Sequence, residues 1–228
     1  MKPELRRIGK DQSPVVVIDE FSGAVDKVAG LADALAPFPP TQGNYYPGVR
    51  RTISEDDESA RAYVVDTCNR ATPFIGGAFD FESFDLNEAS FSLVTLQPNE
   101  LQPVQRAPHF DSPDPALLAI LHYLRVPEGS GTAFYRHRTT GIERVTAQNL
   151  NRFVTHAAWE LTKLAPDSGY INDSDQFYEQ IASIEAIPDR LIIYPSNLLH
   201  SGVIPPGMCF SADPRAGRLT ANIFIRGL

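Results

Sequence analysis

The sequence lacks several features that mark particular classes of protein. Its two cysteines, Cys68 and Cys209, are too few for a disulfide framework, and neither belongs to a C-x-x-C pair. No G-x-G-x-x-G or P-loop motif is present, so a nucleotide-binding βαβ domain is not indicated. No apolar run approaches the roughly 20 residues that span a bilayer, and the N-terminal residues lack the apolar stretch of a signal peptide. We therefore expect a cytoplasmic protein with reduced thiols.

Basic residues are also few relative to acidic ones. The net charge of −8 and the pI near 5.1 argue against nucleic acid or an anionic membrane as a partner. A hydrophobic content of 43% over 228 residues is enough for one ordinary domain with a core. Because no repeat or linker divides the chain, we expect a single domain over residues 1–228, and no feature indicates an oligomeric state.

The N-terminal part of the chain, about 14–70, combines strand and helix patterns. A β-branched run at 14–19 predicts a buried strand. Helical spacing then predicts one helix from Phe21 to Leu35 and a second from Ser54 to about Asn69. Between them, the prolines and glycines of 37–50, among them Gly43, predict an irregular loop.

From Ser90 onwards, the pattern changes to short strands punctuated by prolines. The predicted strands lie at about 90–97, 104–111, 116–126, 132–138, 177–186, 190–195 and 218–225. A helical stripe interrupts them and predicts an inserted helix within about 146–166, packed on an outer sheet face. The fold class expected is mainly β with flanking helices (α+β), a cupin-like jelly-roll barrel, also called a double-stranded β-helix.

The tetrapeptide Pro108-His109-Phe110-Asp111 is the first candidate for chemistry. On a strand, residues i and i+2 point to the same side, so His109 and Asp111 can face one metal ion together. His200, which follows a β-patterned run and precedes a Ser-Gly turn, offers a third ligand. Two histidines and one carboxylate form the facial triad of non-haem iron(II) oxygenases, which leaves open positions on the metal.

An arginine on the last predicted strand is the second candidate. Arg218, Thr220 and Asn222 share one face by strand parity. A guanidinium that points into a barrel needs an anionic partner, and its planar fork suits a carboxylate. Arg215, in the long 203–217 loop that precedes this strand, is the alternative for the same role.

These residues resemble the pattern of the iron(II)- and 2-oxoglutarate-dependent dioxygenase superfamily, in particular its prolyl-hydroxylase-like members. The resemblance extends from about Val15 to Phe224. It implies that His109, Asp111 and His200 hold Fe(II) and that Arg218 grips the far carboxylate of 2-oxoglutarate. Dioxygen would be the second cosubstrate, and hydroxylation of a C–H bond would release succinate and CO2; desaturation and ring closure stay open.

The resemblance extends to further residues around the two candidates. A tyrosine at the position of Tyr123 bonds the 2-oxoglutarate carboxylate in the family, although Tyr123 also fits a core tyrosine. Thr220 is in phase with Arg218 and can donate to the same carboxylate. Substrate contacts are expected among Gln105, Arg106, Tyr135 and Asn222, with Tyr135 pointing into the barrel and Arg106 facing away unless a bulge intervenes.

Several functions stay compatible with the sequence. The substrate could be a free amino acid, a small natural-product intermediate or a protein side chain. The same His2Asp ligands could instead hold zinc in a hydrolase or lyase, although no glutamate adjoins them as a general base. A non-catalytic jelly-roll module that keeps the metal for structure is the third interpretation.

Overall fold

Antiparallel strands dominate the computed structural model, which describes residues 2–41, 45–165 and 167–228. Three helices accompany ten strands among these residues: α1 (Val25–Ala34), α2 (Glu58–Phe79) and α3 (Leu150–Leu161). The strands are β1 (Lys2–Ile8), β2 (Ser13–Asp19), β3 (Gly48–Thr52), β4 (Phe84–Val94), β5 (Leu117–Arg125), β6 (Gly131–His137), β7 (Tyr178–Glu185), β8 (Leu191–Pro195), β9 (His200–Val203) and β10 (Leu219–Gly227).

The strands form two sheets that face each other. The larger sheet has the order β1-β2-β8-β5-β10-β4-β3, and the smaller has the order β7-β6-β9. Apolar side chains from both sheets meet between them, among them Val17 and Ile192 of the larger sheet and Phe134 and Ile184 of the smaller. The mainly β fold with flanking helices, arranged as a jelly roll, is therefore confirmed.

The helices cover the outer faces of the sheets. Helices α1 and α2 pack on the larger sheet, where Val64 and Ile75 of α2 lie against apolar residues of β2, β5 and β10. Helix α3 packs on the smaller sheet through Phe153, as predicted for the inserted helix. Both faces of the central strands are consequently buried, which explains their nearly unbroken apolar sequences. No helix within the described ranges is both long and apolar enough to cross a bilayer.

The N-terminal half contains more regular structure than the sequence predicts. Strand β1 is an edge strand with mostly exposed residues, so it carries no hydrophobic alternation. Strand β3 is the opposite edge strand, and it begins at Gly48, within the stretch 37–50 that was expected to be a loop. Gly43 of that expected loop and Pro166, the expected end of the insertion, lie outside the described residues.

Helix α2 is longer than predicted and runs beyond Asn69 to Phe79. It continues through Pro73 because the buried Ala71, Ile75 and Ala78 extend its apolar face against the sheet. Tertiary packing thus outweighs the local preference of proline to end a helix.

The predicted strand at 104–111 is wrong. Residues Pro103–Arg106 form a 3₁₀ turn, which begins with a proline and is closed by a hydrogen bond from the backbone N–H of Gln102 to Oε1 of Gln105 (2.8 Å). Proline at the first position of a turn is favoured because its φ is preset and its missing N–H is not needed there. Only His109 of this stretch makes a β-bridge.

A buried carboxylate ties three elements together next to the larger sheet. Asp189, in the turn before β8, accepts hydrogen bonds from the backbone N–H groups of Ser22 and Gly23 (2.9 and 2.8 Å) and from Nε2 of His122 (3.0 Å). The other ring nitrogen of His122 faces the hydroxyl of Tyr63 on α2 at 2.9 Å. Burial alone would raise the pKa of Asp189, but these hydrogen bonds outweigh it and lower that pKa well below 3.8.

Replacing this carboxylate should destabilise the fold in a pH-dependent way. In Asp189→Asn, the amide NH2 cannot accept, so the free energy of unfolding at neutral pH should fall by about 2–4 kcal/mol. A carboxyl with a lowered folded-state pKa stabilises fully above its unfolded value and loses that contribution as pH falls through the folded pKa. The difference from wild type should therefore shrink below pH 3.8.

Urea denaturation of both proteins across this pH range measures the effect. Asp11→Asn is the control, because Asp11 is 46% exposed and lies 3.9 Å from Arg144 at the surface. Equal losses of stability in the two variants would contradict a special role for Asp189.

Candidate metal centre

A short antiparallel pairing brings His109 and His200 together. The N–H of His109 donates to the carbonyl of His200 (2.9 Å), and the N–H of His200 donates to the carbonyl of His109 (2.8 Å). His200 begins β9, which is paired in turn with β6. The two imidazole rings therefore lie on the same side, with centroids 4.4 Å apart.

Asp111 completes the group. Its backbone N–H donates to the carbonyl of Ser196 (2.8 Å), so both ends of the His109–Asp111 segment are tied to the chain just before or at β9. Its carboxylate oxygens lie 3.9 Å from Nε2 of His109 and 3.7 Å from Nε2 of His200. The three ligand atoms are all within 4.8 Å of one another, and no second cluster of three such ligands occurs among the described residues.

The orientation of His200 and the pKa of His109 both suit metal binding. Nδ1 of His200 lies 2.8 Å from the carbonyl of Leu198, which can only accept, so Nδ1 is the donor of this pair, and Nε2 is the nitrogen that faces Asp111. Burial, followed by the charges of His200 and Arg50, lowers the pKa of His109 well below 6.5. Burial raises the pKa of Asp111, and the same two neighbours act against that increase. The donor set fits a facial-triad metal site.

The three ligands open onto a cavity of about 110 Å³ between the two sheets. Arg218, which directly precedes β10, lines it with Thr220 and Asn222 of that strand, together with Gln105 of the 3₁₀ turn. Gln105 is buried and donates through Nε2 to the carbonyl of Tyr46 at 3.4 Å. Asp111 is the only carboxylate among the described residues of the cavity wall.

Arg218 is a buried cation that lacks a charged partner. It is 6% exposed, and Nη2 donates to the carbonyl of Gly131 at 3.2 Å. Its Nε is buried without a hydrogen-bond partner, and no carboxylate of the described residues lies within 4.0 Å of it. A buried guanidinium without a charged partner is costly, so the cavity that Arg218 lines is suited to an anion that would compensate its charge.

Two further candidates from the sequence, Tyr123 and Arg215, differ in their distance from the cavity. Tyr123 lies beneath Arg218, with the guanidinium 5.9 Å from the ring centroid, and donates its hydroxyl to Oγ1 of Thr132 (2.7 Å). Burial raises the pKa of Tyr123 to about 12. Thr132 lines the cavity, whereas Tyr123 is behind it. Arg215 points away, since its side chain is 63% exposed and lies 3.6 Å from Asp213.

Two expected substrate contacts are not at the cavity. Tyr135 does not point into the barrel; its ring packs among Ala107, Phe153 and Leu199 beneath α3. Arg106 donates to the backbone carbonyls of Leu101 (2.7 Å) and Ala165 (3.1 Å), because the 3₁₀ turn carries its side chain away from the metal ligands.

Sequence reasoning missed Arg50, which lines the cavity from β3. Its stretch was interpreted as a loop, so strand parity was not applied to it. The signal available was the pair of β-branched residues, Val49 and Thr52, on either side of Arg50 and Arg51, which is compatible with a short strand.

Comparisons with known proteins agree with this architecture. A model described as "Family of unknown function (DUF6445)" matches residues 1–225. No curated protein matches the sequence. Among solved structures, the non-heme alpha ketoglutarate dependent epimerase SnoN from nogalamycin biosynthesis is 12% identical, covers 95% of this chain and 77% of its own, and has a TM-score of 0.56.

Two further structures are similar to the same degree. HygX from Streptomyces hygroscopicus, with nickel and 2-oxoglutarate bound, is 12% identical over 95% of this chain and 84% of its own, at a TM-score of 0.53. A prolyl-4-hydroxylase from Pseudomonas putida is 14% identical over 96% and 95%, at a TM-score of 0.51. At these identities the likeness shows a shared jelly-roll fold.

Metal affinity should depend on each member of the triad. His109→Ala, Asp111→Ala and His200→Ala should each weaken Co(II) or Fe(II) binding by more than roughly 100-fold, because loss of an outer partner alone costs about 10–100-fold. Anaerobic isothermal titration measures this. His156→Ala, on the exposed face of α3, should bind metal like wild type. Full metal occupancy in His200→Ala would rule out this triad.

Proposed function

The chain belongs to DUF6445, a family of unknown function, and we propose that it is a non-haem iron(II)- and 2-oxoglutarate-dependent oxygenase. It would hydroxylate a C–H bond of a small-molecule or amino-acid-like substrate and release succinate and CO2. We propose one oxygenase domain over residues 1–228, because both sheets contribute to one cavity. The assignment rests on residues of this chain, and the shared fold supports it.

One observation carries the proposal: the orphaned guanidinium of Arg218 lines the same cavity as the His2Asp triad. A triad alone is compatible with several metals and reactions. A buried cation in the same small space adds a requirement for an anion beside the metal. A short dicarboxylate such as 2-oxoglutarate meets it, since one end can reach the metal while the other pairs with Arg218.

The proposed function gives the residues of the site separate roles in binding the metal and the carboxylate. His109, Asp111 and His200 would hold iron(II) through one face and leave the other face open. Thr220 Oγ1 accepts a hydrogen bond from Nδ2 of Asn222 (3.3 Å), which leaves its own proton available for a carboxylate next to Arg218.

Tyr123 would support the same anion from behind. Its hydroxyl donates to Oγ1 of Thr132 at the cavity wall and thereby leaves the hydroxyl proton of Thr132 available for the anion. When bound, iron(II), 2-oxoglutarate and dioxygen supply the oxidation, in which 2-oxoglutarate loses CO2 to become succinate and one oxygen atom enters a C–H bond.

The two alternative functions leave features of the cavity without a role. A zinc hydrolase or lyase on the same ligands needs a general base. Within the described part of the cavity wall, Asp111 is the only carboxylate, and it is a ligand. A non-catalytic metal-binding module has no use for a buried arginine that faces the metal cavity, because an unpaired charge there only costs stability.

Substitution of Arg218 should separate cosubstrate binding from metal binding. Arg218→Ala should weaken 2-oxoglutarate binding to the Co(II)-loaded protein by about thirtyfold or more, because a bidentate charge-assisted contact is lost. Arg218→Lys should recover only part of the loss, since an ammonium lacks the planar fork. Metal affinity should change little. Isothermal titration gives both constants, and succinate release with iron(II) gives turnover.

Arg215→Ala is the matched control, because this arginine is exposed and away from the cavity. If it abolishes 2-oxoglutarate binding while Arg218→Ala does not, the anion is held by the loop. If iron-loaded wild-type protein neither binds 2-oxoglutarate nor releases succinate, the oxygenase proposal is wrong.

A further inference from the structure

A second arginine lines the metal cavity from strand β3, which lies two strands away from β10 in the larger sheet. Arg50 lies on the edge strand β3, where its register partner is Ser92 of β4, and Ser92 in turn is paired with Thr220 of β10. This row of residues points to the cavity, which both Arg50 and Thr220 line. His109, Asp111 and His200 line the same cavity, so the guanidinium and the metal ligands share one small space.

Arg50 is held in place by two neighbouring side chains, Ser92 and Tyr46. Its Nε donates to Oγ of Ser92 at 3.1 Å, and Oγ of Ser92 also accepts from Nδ2 of Asn222 at 3.0 Å. The guanidinium lies 4.7 Å from the ring centroid of Tyr46, within the range of a cation–π contact. These contacts fix the stem and one face of the group and leave its outer edge for another partner.

The terminal nitrogens of Arg50 have no partner in the described part of the chain. No hydrogen bond joins Nη1 or Nη2 to a described residue, and no described carboxylate lies within 4.0 Å. Arg51, its neighbour, points to the other face of β3 and pairs with Asp57 at 2.8 Å. The two adjacent arginines thus differ: Arg51 is paired with a carboxylate on the outer face of the sheet, and Arg50 lines the cavity without a carboxylate partner among the described residues.

The balance of charges in the cavity indicates a role for Arg50. In the proposed oxygenase, a divalent metal ion and Arg218 carry three positive charges, and Asp111 with the 2-oxoglutarate dianion carries three negative ones. These charges cancel within the cavity. Arg50 is then the one charge left over in a half-buried space, and an uncompensated charge there is unfavourable unless a further anion binds.

From this geometry we propose that Arg50 binds the carboxylate of the primary substrate, so that the substrate is a small carboxylic acid, free amino acids included. The inference rests on the proposed oxygenase function and adds the substrate class to it. A planar carboxylate fits the fork of one guanidinium, whereas phosphate groups are usually bound by several donors. The ring of Tyr170, which lines the cavity and stacks on Phe210 at 6.2 Å, offers an aromatic surface for the rest of the molecule.

The test compares acids with their neutral counterparts. The probes are the free L-amino acids and N-acetyl-L-amino acids, each paired with its own carboxamide. They are titrated into protein loaded with Co(II) and 2-oxoglutarate, so that binding is measured without turnover. We expect at least one acid to bind while its carboxamide binds about thirtyfold more weakly or not at all.

Variants at two adjacent positions then locate the contact. Arg50→Gln keeps an amide donor for Ser92, and its affinity for that acid should be about thirtyfold or more weaker than that of the wild type. Its affinity for 2-oxoglutarate should be unchanged. Arg50→Lys should recover part of the loss. Arg51→Gln is the matched control, because it removes a neighbouring charge from the outer face, and it should bind the acid like wild type.

Each outcome decides the proposal. It is overturned if no acid binds better than its carboxamide, or if Arg50→Gln binds the acid like wild type. It is also overturned if Arg50→Gln loses 2-oxoglutarate, because Arg50 would then hold the cosubstrate. Failure of the oxygenase proposal looks different: Co(II)-loaded wild type would not bind 2-oxoglutarate at all, whatever the acids do.

Discussion

The two backbone hydrogen bonds between His109 and His200 are the constraint on which the whole site depends. They join segments far apart in sequence and set the distance between the two imidazoles before any metal binds. Since β9 is also paired with β6, the ligands inherit the rigidity of a sheet, although His109 itself is on no regular strand. The site is therefore preorganised by backbone pairing, which side-chain substitutions elsewhere disturb little.

Charge in the cavity is arranged at two positions rather than one. Arg218 directly precedes the central strand β10, is almost fully buried and has Tyr123 behind it. Arg50 lies on an edge strand beside Tyr46, closer to the open side. The two cations thus differ in burial: Arg218 is 6% exposed, whereas Arg50 is half-buried.

Much of this site follows from the sequence, because its residue types are chemically distinctive. His109, Asp111, His200 and Arg218 were predicted as a group and lie around one cavity, although 104–111 is not a strand. The prediction that Tyr135 points into the barrel was wrong for a physical reason. The alternation of side chains along a strand tells which residues share a face of the sheet, but it does not tell which of the two faces is the inner one.

Helix α3 covers the outer face of β6, so both faces of that strand are apolar and no polarity difference marks the inner one. Edge strands β1 and β3 escaped prediction because neither shows an alternation of buried and exposed residues: β1 is mostly exposed and β3 is mostly half-buried. Arg50 was missed with β3.

The edge position of β3 has an evolutionary consequence. Strand β3 has one neighbour, so a change there disturbs a single ladder, whereas changes in β10 disturb two. Under the proposed function, a change of selectivity at Arg50 would consequently disturb fewer strand pairings than a change around the residues that would hold 2-oxoglutarate.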